Sequence, residues 1–187
     1  MTQSRLKFVV LLGSLRRGSF HGALARSLPA VASLDAEITM LGSVGDMPHY
    51  DADVQAEGFP ASVTAMASAI KAADGVIVVS PEYNYSIPGS LKNAFDWLSR
   101  LPDAPFAGKP VSILGGSPGP IAGARMQHHL RQVLVFLDAV AFTKPEVMIG
   151  SINTKVDVAT NTITDETTRE FVAAHLRAFD EFVRRLR

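Results

Sequence analysis

The run Gly75-Val76-Ile77-Val78-Val79-Ser80 constrains the fold more than any other segment, because it is apolar without alternation. A strand with one face in water alternates apolar and polar residues. A continuous apolar run needs cover on both faces, as in the middle of a parallel α/β sheet. The run stops at Ser80-Pro81, and the chain passes through Glu82-Tyr83-Asn84-Tyr85 to Pro88 and Gly89 before a helical pattern sets in. Loops leaving the carboxyl ends of parallel strands are where such sheets hold ligands. This one offers two flat aromatic rings, an amide and many exposed peptide groups, which suits a planar, hydrogen-bonding ligand.

Four further apolar runs and five helical patterns surround it. Phe8 to Leu12 is a second continuous run, ending at Gly13, and a helix is predicted from about His21 to Ala32 with Leu24, Leu28 and Val31 on one face. A shorter strand, Ala36 to Leu41, leads across a Gly/Pro/Asp-rich passage from Gly42 to Pro60 into a helix carrying Val63, Met66, Ala67, Ile70 and Ala73. A helix from about Gly89 to Ser99 follows the central loop. Pro110 to Gly115 is the fourth strand, followed by the loop Gly116-Ser117-Pro118-Gly119-Pro120 and a helix marked by Leu130, Val133, Leu134 and Leu137. The fifth strand falls within Val140 to Met148, interrupted by Lys144 and Pro145, and a hairpin-like or irregular excursion spans Asn153 to Thr164. The last helix starts at Asp165-Glu166, an acidic turn that suits the helix dipole, and is expected to bury Val172, Leu176, Phe179, Val183 and Leu186. Strict alternation predicts an α/β, flavodoxin-like, doubly wound five-stranded parallel sheet with helices on both faces. No repeat or linker divides residues 1–187, which are read as one domain.

At 187 residues, with 47% hydrophobic and 19% charged side chains, the chain suits a sizeable core rather than disorder. Its 18 Lys and Arg balance 18 Asp and Glu, so overall charge does not favour nucleic acid and any anion must be bound locally. The absence of cysteine removes disulfides, thiol nucleophiles and thiolate metal sites together. Redox chemistry, if present, is left to a cofactor. The apolar stretches are strand-sized, MTQSRLKFVV has no signal-length apolar segment, no membrane span is expected, and a cytoplasmic address follows by default.

The first loop, Gly13-Ser14-Leu15-Arg16-Arg17-Gly18-Ser19, joins a buried strand to a helix amino terminus. Free N–H groups and the positive end of the helix dipole make that junction an anion receptor, to which Ser14 and Ser19 add hydroxyls and Arg16 a charged fork. A bland reading, a glycine-punctuated turn with solvated arginines, fits the agreement of donors, charge and location less well. Ser19-Phe20 stands where a triphosphate-binding loop needs Lys and Ser/Thr, and Met40-Leu41 where a dinucleotide fold needs an acid, so a terminal monophosphate is the expected anion. Glu82 lacks a second carboxylate for acid/base work and is expected to shape its loop or a subunit contact. His128 and His129 are adjacent rather than four apart, so no metal site is assigned.

These residues resemble the NADPH-dependent FMN reductase family, a flavodoxin-like group, and within it the bacterial quinone reductases also described as chromate reductases. The resemblance is carried by LLGSLRRGSFHGALAR, PHYDADVQ, PEYNYSIPGSLKNAFDWLSRLPD and GARMQHHLRQVLVFLDA, and spans nearly the whole chain. It implies noncovalent FMN, with Ser14, Leu15, Arg16, Gly18, Ser19, Phe20 and His21 about the phosphate and ribityl chain. Pro81, Glu82, Tyr83 and Asn84 would line the isoalloxazine, with Ser117 on the other side. It also implies dimers that pair into tetramers through contacts involving Tyr85, Arg125, His128 and Glu146; His128 stands where tyrosine is common in the family.

The implied activity uses one site in turn: NAD(P)H gives hydride to FMN and departs, then a quinone, or promiscuously chromate, an azo dye or free flavin, takes two electrons. The cofactor carries the chemistry and the protein supplies position, so no catalytic side chain is assigned beyond an orienting role for Asn84. Arg100 and Tyr85 are candidates for contact with the acceptor or nucleotide. The rival reading is a flavodoxin-type one-electron carrier without its own NAD(P)H oxidation. Neutral overall charge and Arg16 in the phosphate loop argue against it. A flavin-binding regulatory protein is a third possibility.

Overall fold

In the computed structural model, which describes residues 5–32 and 36–187, the alternation of apolar runs becomes a layered sheet. The leader-free reading of the N-terminus rests partly on residues 1–4, outside the described residues. The central strands are β1 (Leu6–Leu12), β3 (Gly75–Ser80) and β4 (Pro110–Ser117), and all six β3 residues are buried. β2 (Ala36–Met40) lies at one edge and is half-exposed, which accounts for its weaker sequence pattern. The order is β2-β1-β3-β4-β5, with β5 (Val140–Ala141) and β6 (Val147–Gly150) both paired to β4. Every pairing in this sheet is parallel. The fifth strand is thus one ladder in two pieces, broken near Pro145, which has no N–H to donate to it.

The period of two along each strand sorts side chains into two cores. Val9, Leu11, Val76, Val78, Val111 and Ile113 pack beneath α3 (Ala61–Ala72), α4 (Gly89–Leu98) and α5 (Ala124–Phe136). Phe8, Val10, Ile77, Val79 and Leu114 pack beneath α1 (Phe20–Val31) and α7 (Glu166–Leu186). α7 starts at the Asp165 cap, whose carboxylate accepts from the Thr168 N–H at 2.9 Å, and buries Val172, Leu176, Phe179 and Val183. Leu186, expected in the core, is 51% exposed in the last helical residue. The short helix α2 (Ala52–Glu57) belongs to the irregular passage before α3. The excursion after β6 forms α6 (Ile152–Lys155) and an antiparallel hairpin of β7 (Val156–Asp157) and β8 (Thr162–Ile163), tied to α1 by Arg26 Nε donating to Asn161 Oδ1 at 2.7 Å.

Two polar arrangements fix parts of the frame. Trp97 of α4 is fully buried, donates its indole N–H to the Pro48 carbonyl at 2.8 Å and meets Tyr50 edge to face at 5.1 Å. Asn93 donates to the same carbonyl and accepts from the Tyr50 N–H, so the segment from Pro48 to Tyr50 is laced along α4. Across the sheet, His175 lies between Ser112 (2.5 Å to Nε2) and the Pro145 carbonyl (2.6 Å to Nδ1). A carbonyl only accepts, so Nδ1 carries the proton and Nε2 accepts from the Ser112 hydroxyl. Burial lowers His175 to about 4, with Arg131 lowering it further and the Pro145 bond acting the other way.

Candidate active site at the carboxyl ends of three strands

The first loop, the central loop and the loop after β4 leave the carboxyl ends of β1, β3 and β4, which are neighbours in the sheet. The chain reverses direction across the sheet between β1 and β3, and a crevice at such a switch point is where open α/β folds bind ligands.

The first loop is held by a contact, not by glycine flexibility. The Gly13 N–H donates to the Val79 carbonyl at 2.9 Å, and a Cβ on Gly13 would lie 2.5 Å from Ser80 Oγ and 3.1 Å from Leu91 Cδ2. The glycine is therefore required by β3 and α4 packing. Ser19 caps α1, its Oγ accepting from the Gly22 N–H at 3.3 Å. Backbone N–H groups of residues 14 to 18, and those of Phe20 and His21 in the first turn of α1, donate to no acceptor among the described residues. Ser14 and Ser19 are buried beside this row, whereas Leu15 and Arg16 are exposed. No ion pair among the described residues engages Arg16. This donor set, with no acid in it, fits the phosphate of FMN.

The central loop turns more tightly than its sequence announces. Tyr83 and Ser86 exchange two backbone hydrogen bonds of 3.0 Å around Asn84 (φ 50°) and Tyr85 (φ 66°), which makes a two-residue hairpin turn with both central residues left-handed. Asn tolerates that conformation; a tyrosine there costs about 1 kcal/mol. The Arg125 guanidinium lies 4.0 Å from the Tyr85 ring centre, a contact that offsets this cost. The Glu82 carboxylate is engaged structurally: it accepts from the Met126 N–H at 3.1 Å, at the start of α5, and from Arg125 at 3.3 Å. It thereby ties the loop to a helix amino terminus, where negative charge is favoured. Ser86 Oγ lies 2.6 Å from His129 Nδ1, a second tie to α5. Tyr83 and Tyr85 remain 51% and 67% exposed, leaving flat rings available to a planar ligand.

The loop after β4 begins later than expected. Gly116 and Ser117 still belong to β4, pairing with Ile149 and Gly150 of β6, and Ser117 Oγ donates to the Gly119 carbonyl at 2.9 Å. His21 reaches across to this strand, its Nε2 3.0 Å from the Gly116 carbonyl oxygen.

The remaining expected residues fall elsewhere within the chain. Arg100 lies past the C-terminus of α4, its guanidinium 5.2 Å from the Tyr50 ring centre, with the helix, about 15 Å long, between it and the central loop. Arg125 and Tyr85 come together, but Glu146 pairs with Arg131 at 3.1 Å. His128 is exposed on α5. The Glu82 link to α5, the Ser86–His129 bond and the His21–Gly116 bond lie outside the motif reading, because their partners are at least 43 residues apart and no local spacing marks them.

A phosphate cradle at β1 and an aromatic-amide loop at β3, on a sheet of order 2-1-3-4-5, define a flavin mononucleotide-binding α/β protein. The model of NADPH-dependent FMN reductases matches residues 6–154, and the chain belongs to that family. It is 56% identical over 184 residues to a quinone reductase of Escherichia coli strain K12, covering 98% of both chains. It is 44% identical over 182 residues to an NAD(P)H-dependent FMN reductase of Pseudomonas aeruginosa, covering 97% of both. Among solved structures it resembles the flavoenzyme NAD(P)H:(acceptor) oxidoreductase FerB of Paracoccus denitrificans, with a TM-score of 0.87, 34% identity, and coverage of 96% of this chain and 98% of that one. The protein is accordingly an oxidoreductase that uses FMN and NAD(P)H.

Proposed function

We propose that the protein reduces quinones by a ping-pong reaction, NAD(P)H and acceptor occupying one face of the bound FMN in turn. The observation that carries this reading is the pairing of an acid-free row of unpaired N–H groups after β1 with an exposed aromatic turn after β3, and the likeness to a quinone reductase supports the choice of acceptor. When bound, FMN supplies the redox chemistry, taking hydride from NAD(P)H and passing two electrons on.

The chain's residues supply position. Ser14, Leu15, Arg16, Gly18, Ser19 and Phe20 hold the phosphate end; Pro81, Glu82, Tyr83 and Asn84 hold the ring end, with the Asn84 amide orienting the ring edge and Ser117 bordering it. An open, flat site without an acid/base pair discriminates weakly among acceptors, so azo dyes, free flavin and chromate are taken as promiscuous ones. The whole chain acts as one domain in the cytoplasm and self-associates as a dimer or tetramer, with Tyr85, Arg125, His128 and Glu146 near the boundary. Arg100, whose guanidinium lies over the Tyr50 ring, and Tyr85 are the candidates for contact with the acceptor or nucleotide.

Anaerobic mixing with NADH or NADPH is expected to bleach the flavin absorbance without a partner reductase. Initial-rate plots against a quinone series should then give parallel lines and hydroquinone as product. Intersecting lines overturn the shared-face reading, and failure of both nucleotides to bleach the flavin favours a one-electron carrier.

A further inference from the structure

His21 occupies the second position of α1 and is buried where the first loop meets the end of β4. Because the Gly116 carbonyl can only accept, His21 Nε2 carries the proton and donates it across 3.0 Å. The bond joins residues 95 apart in sequence and links the start of α1, just after the first loop, to the end of β4, just before the third. Gly116 cannot readily shift to compensate for its loss: a Cβ there would lie 2.8 Å from both the Ile149 carbonyl oxygen and Ile152 Cδ1, so the strand is seated tightly on its neighbours.

Burial lowers His21 to about 4, against which the Gly116 bond acts only partly. In the neutral ring with Nε2 protonated, Nδ1 is an acceptor. A phosphate dianion presents acceptors only, so a ring engaged in this way has no donor left for it. We propose that the His21 imidazole is a positioning group that braces the start of α1, and with it the first loop, against the end of β4, and is not itself a ligand of the phosphate, which the His21 backbone N–H remains free to meet. The proposal rests on the reading of the first loop as the FMN phosphate site and reassigns one of that loop's expected contacts.

The test is paired titration of full-length variants with FMN and with riboflavin, which lacks the phosphate. Arg16→Ala should weaken FMN alone and close the gap between the two flavins. His21→Ala should weaken both by the same factor, roughly 3- to 10-fold for one neutral hydrogen bond, leaving their ratio unchanged. His21→Gln, whose amide N–H can reach the same carbonyl, should restore both. In the FMN-loaded wild type, ¹⁵N NMR should show His21 as the neutral Nε2–H tautomer. A His21→Ala variant that closes the FMN-riboflavin gap, or that leaves both affinities unchanged, overturns the proposal, as does an imidazolium at pH 7 in the loaded protein. A wild type that binds neither flavin overturns the cofactor reading instead, and the tautomer at His21 then decides the brace alone.

Discussion

Two residues of the first loop carry separable burdens. Arg16 is exposed and outside any ion pair among the described residues, so Arg16→Ala removes a charge-assisted contact to the phosphate with little effect on the fold. A loss of about 1.5 to 3 kcal/mol in FMN binding is expected, read by flavin fluorescence, with the thermal midpoint of the unliganded protein unchanged. Gly13→Ala acts the other way, because its methyl would meet Ser80 Oγ at 2.5 Å. It should cost about 1 to 3 kcal/mol of stability in urea titrations, and Ser80→Gly in the same chain should recover part of that loss through coupling between the two sites. Additive losses in the double variant would contradict the contact as the cause. In the sequence Gly13 only ends an apolar run; the reason no larger residue fits there lies in a neighbouring strand.

At the scale of elements, the tie between Glu82 and α5 is the most exposed to test. Glu82→Ala removes both the acceptor for the Met126 N–H and a favourable charge at a helix start; it should cost about 1 kcal/mol and loosen the central loop. Glu82→Gln keeps the acceptor and should cost less, and equal losses in denaturant titrations would argue against a capping role. The same region shows which parts of the structure were legible in advance. Runs such as Val76 to Val79, and the spacing of Leu24, Leu28 and Val31, reveal their elements because burial on both faces, or on one helical stripe, leaves its period in the residues. The end of β4 left no such trace: Gly116 and Ser117 look like loop residues, and only their pairing with Ile149 and Gly150 makes them strand. The turn at Asn84-Tyr85 was equally hidden, since hairpins of this kind ordinarily place glycine at the second central position. In the site, Ser14 and Ser19 are buried beside the free N–H row and Tyr83 is exposed on its loop, while Arg100 follows α4 as its sequence position implies, and its contact with Tyr50 had no local signal to mark it.

For the molecule as a whole, acid is the expected weakness. His21 and His175 are both held near 4 by burial, below the ordinary 6.5 that the unfolded chain regains. Between those values the unfolded state binds protons that the folded state refuses, so stability is full above about 6.5 and falls as the pH drops toward 4, by roughly 3 kcal/mol for each histidine. Urea midpoints at pH 7.5 and 4.5 measure the loss, and His175→Gln should flatten the slope; an unchanged slope would rule out that histidine. Self-association belongs to this scale too. Val135 and Phe136, 78% and 77% exposed at the end of α5, form an apolar surface consistent with subunit contact, and sedimentation of a stable monomer at micromolar concentration would exclude the proposed assembly. Trp97, finally, gives the protein an optical reporter of its own. As the only tryptophan, sealed in the core and laced to Pro48 along the helix that leaves the central loop, it should emit at short wavelength as a single population. Since indole emission overlaps flavin absorption, filling of the cofactor site should quench that light in proportion to occupancy, without a label and without turnover.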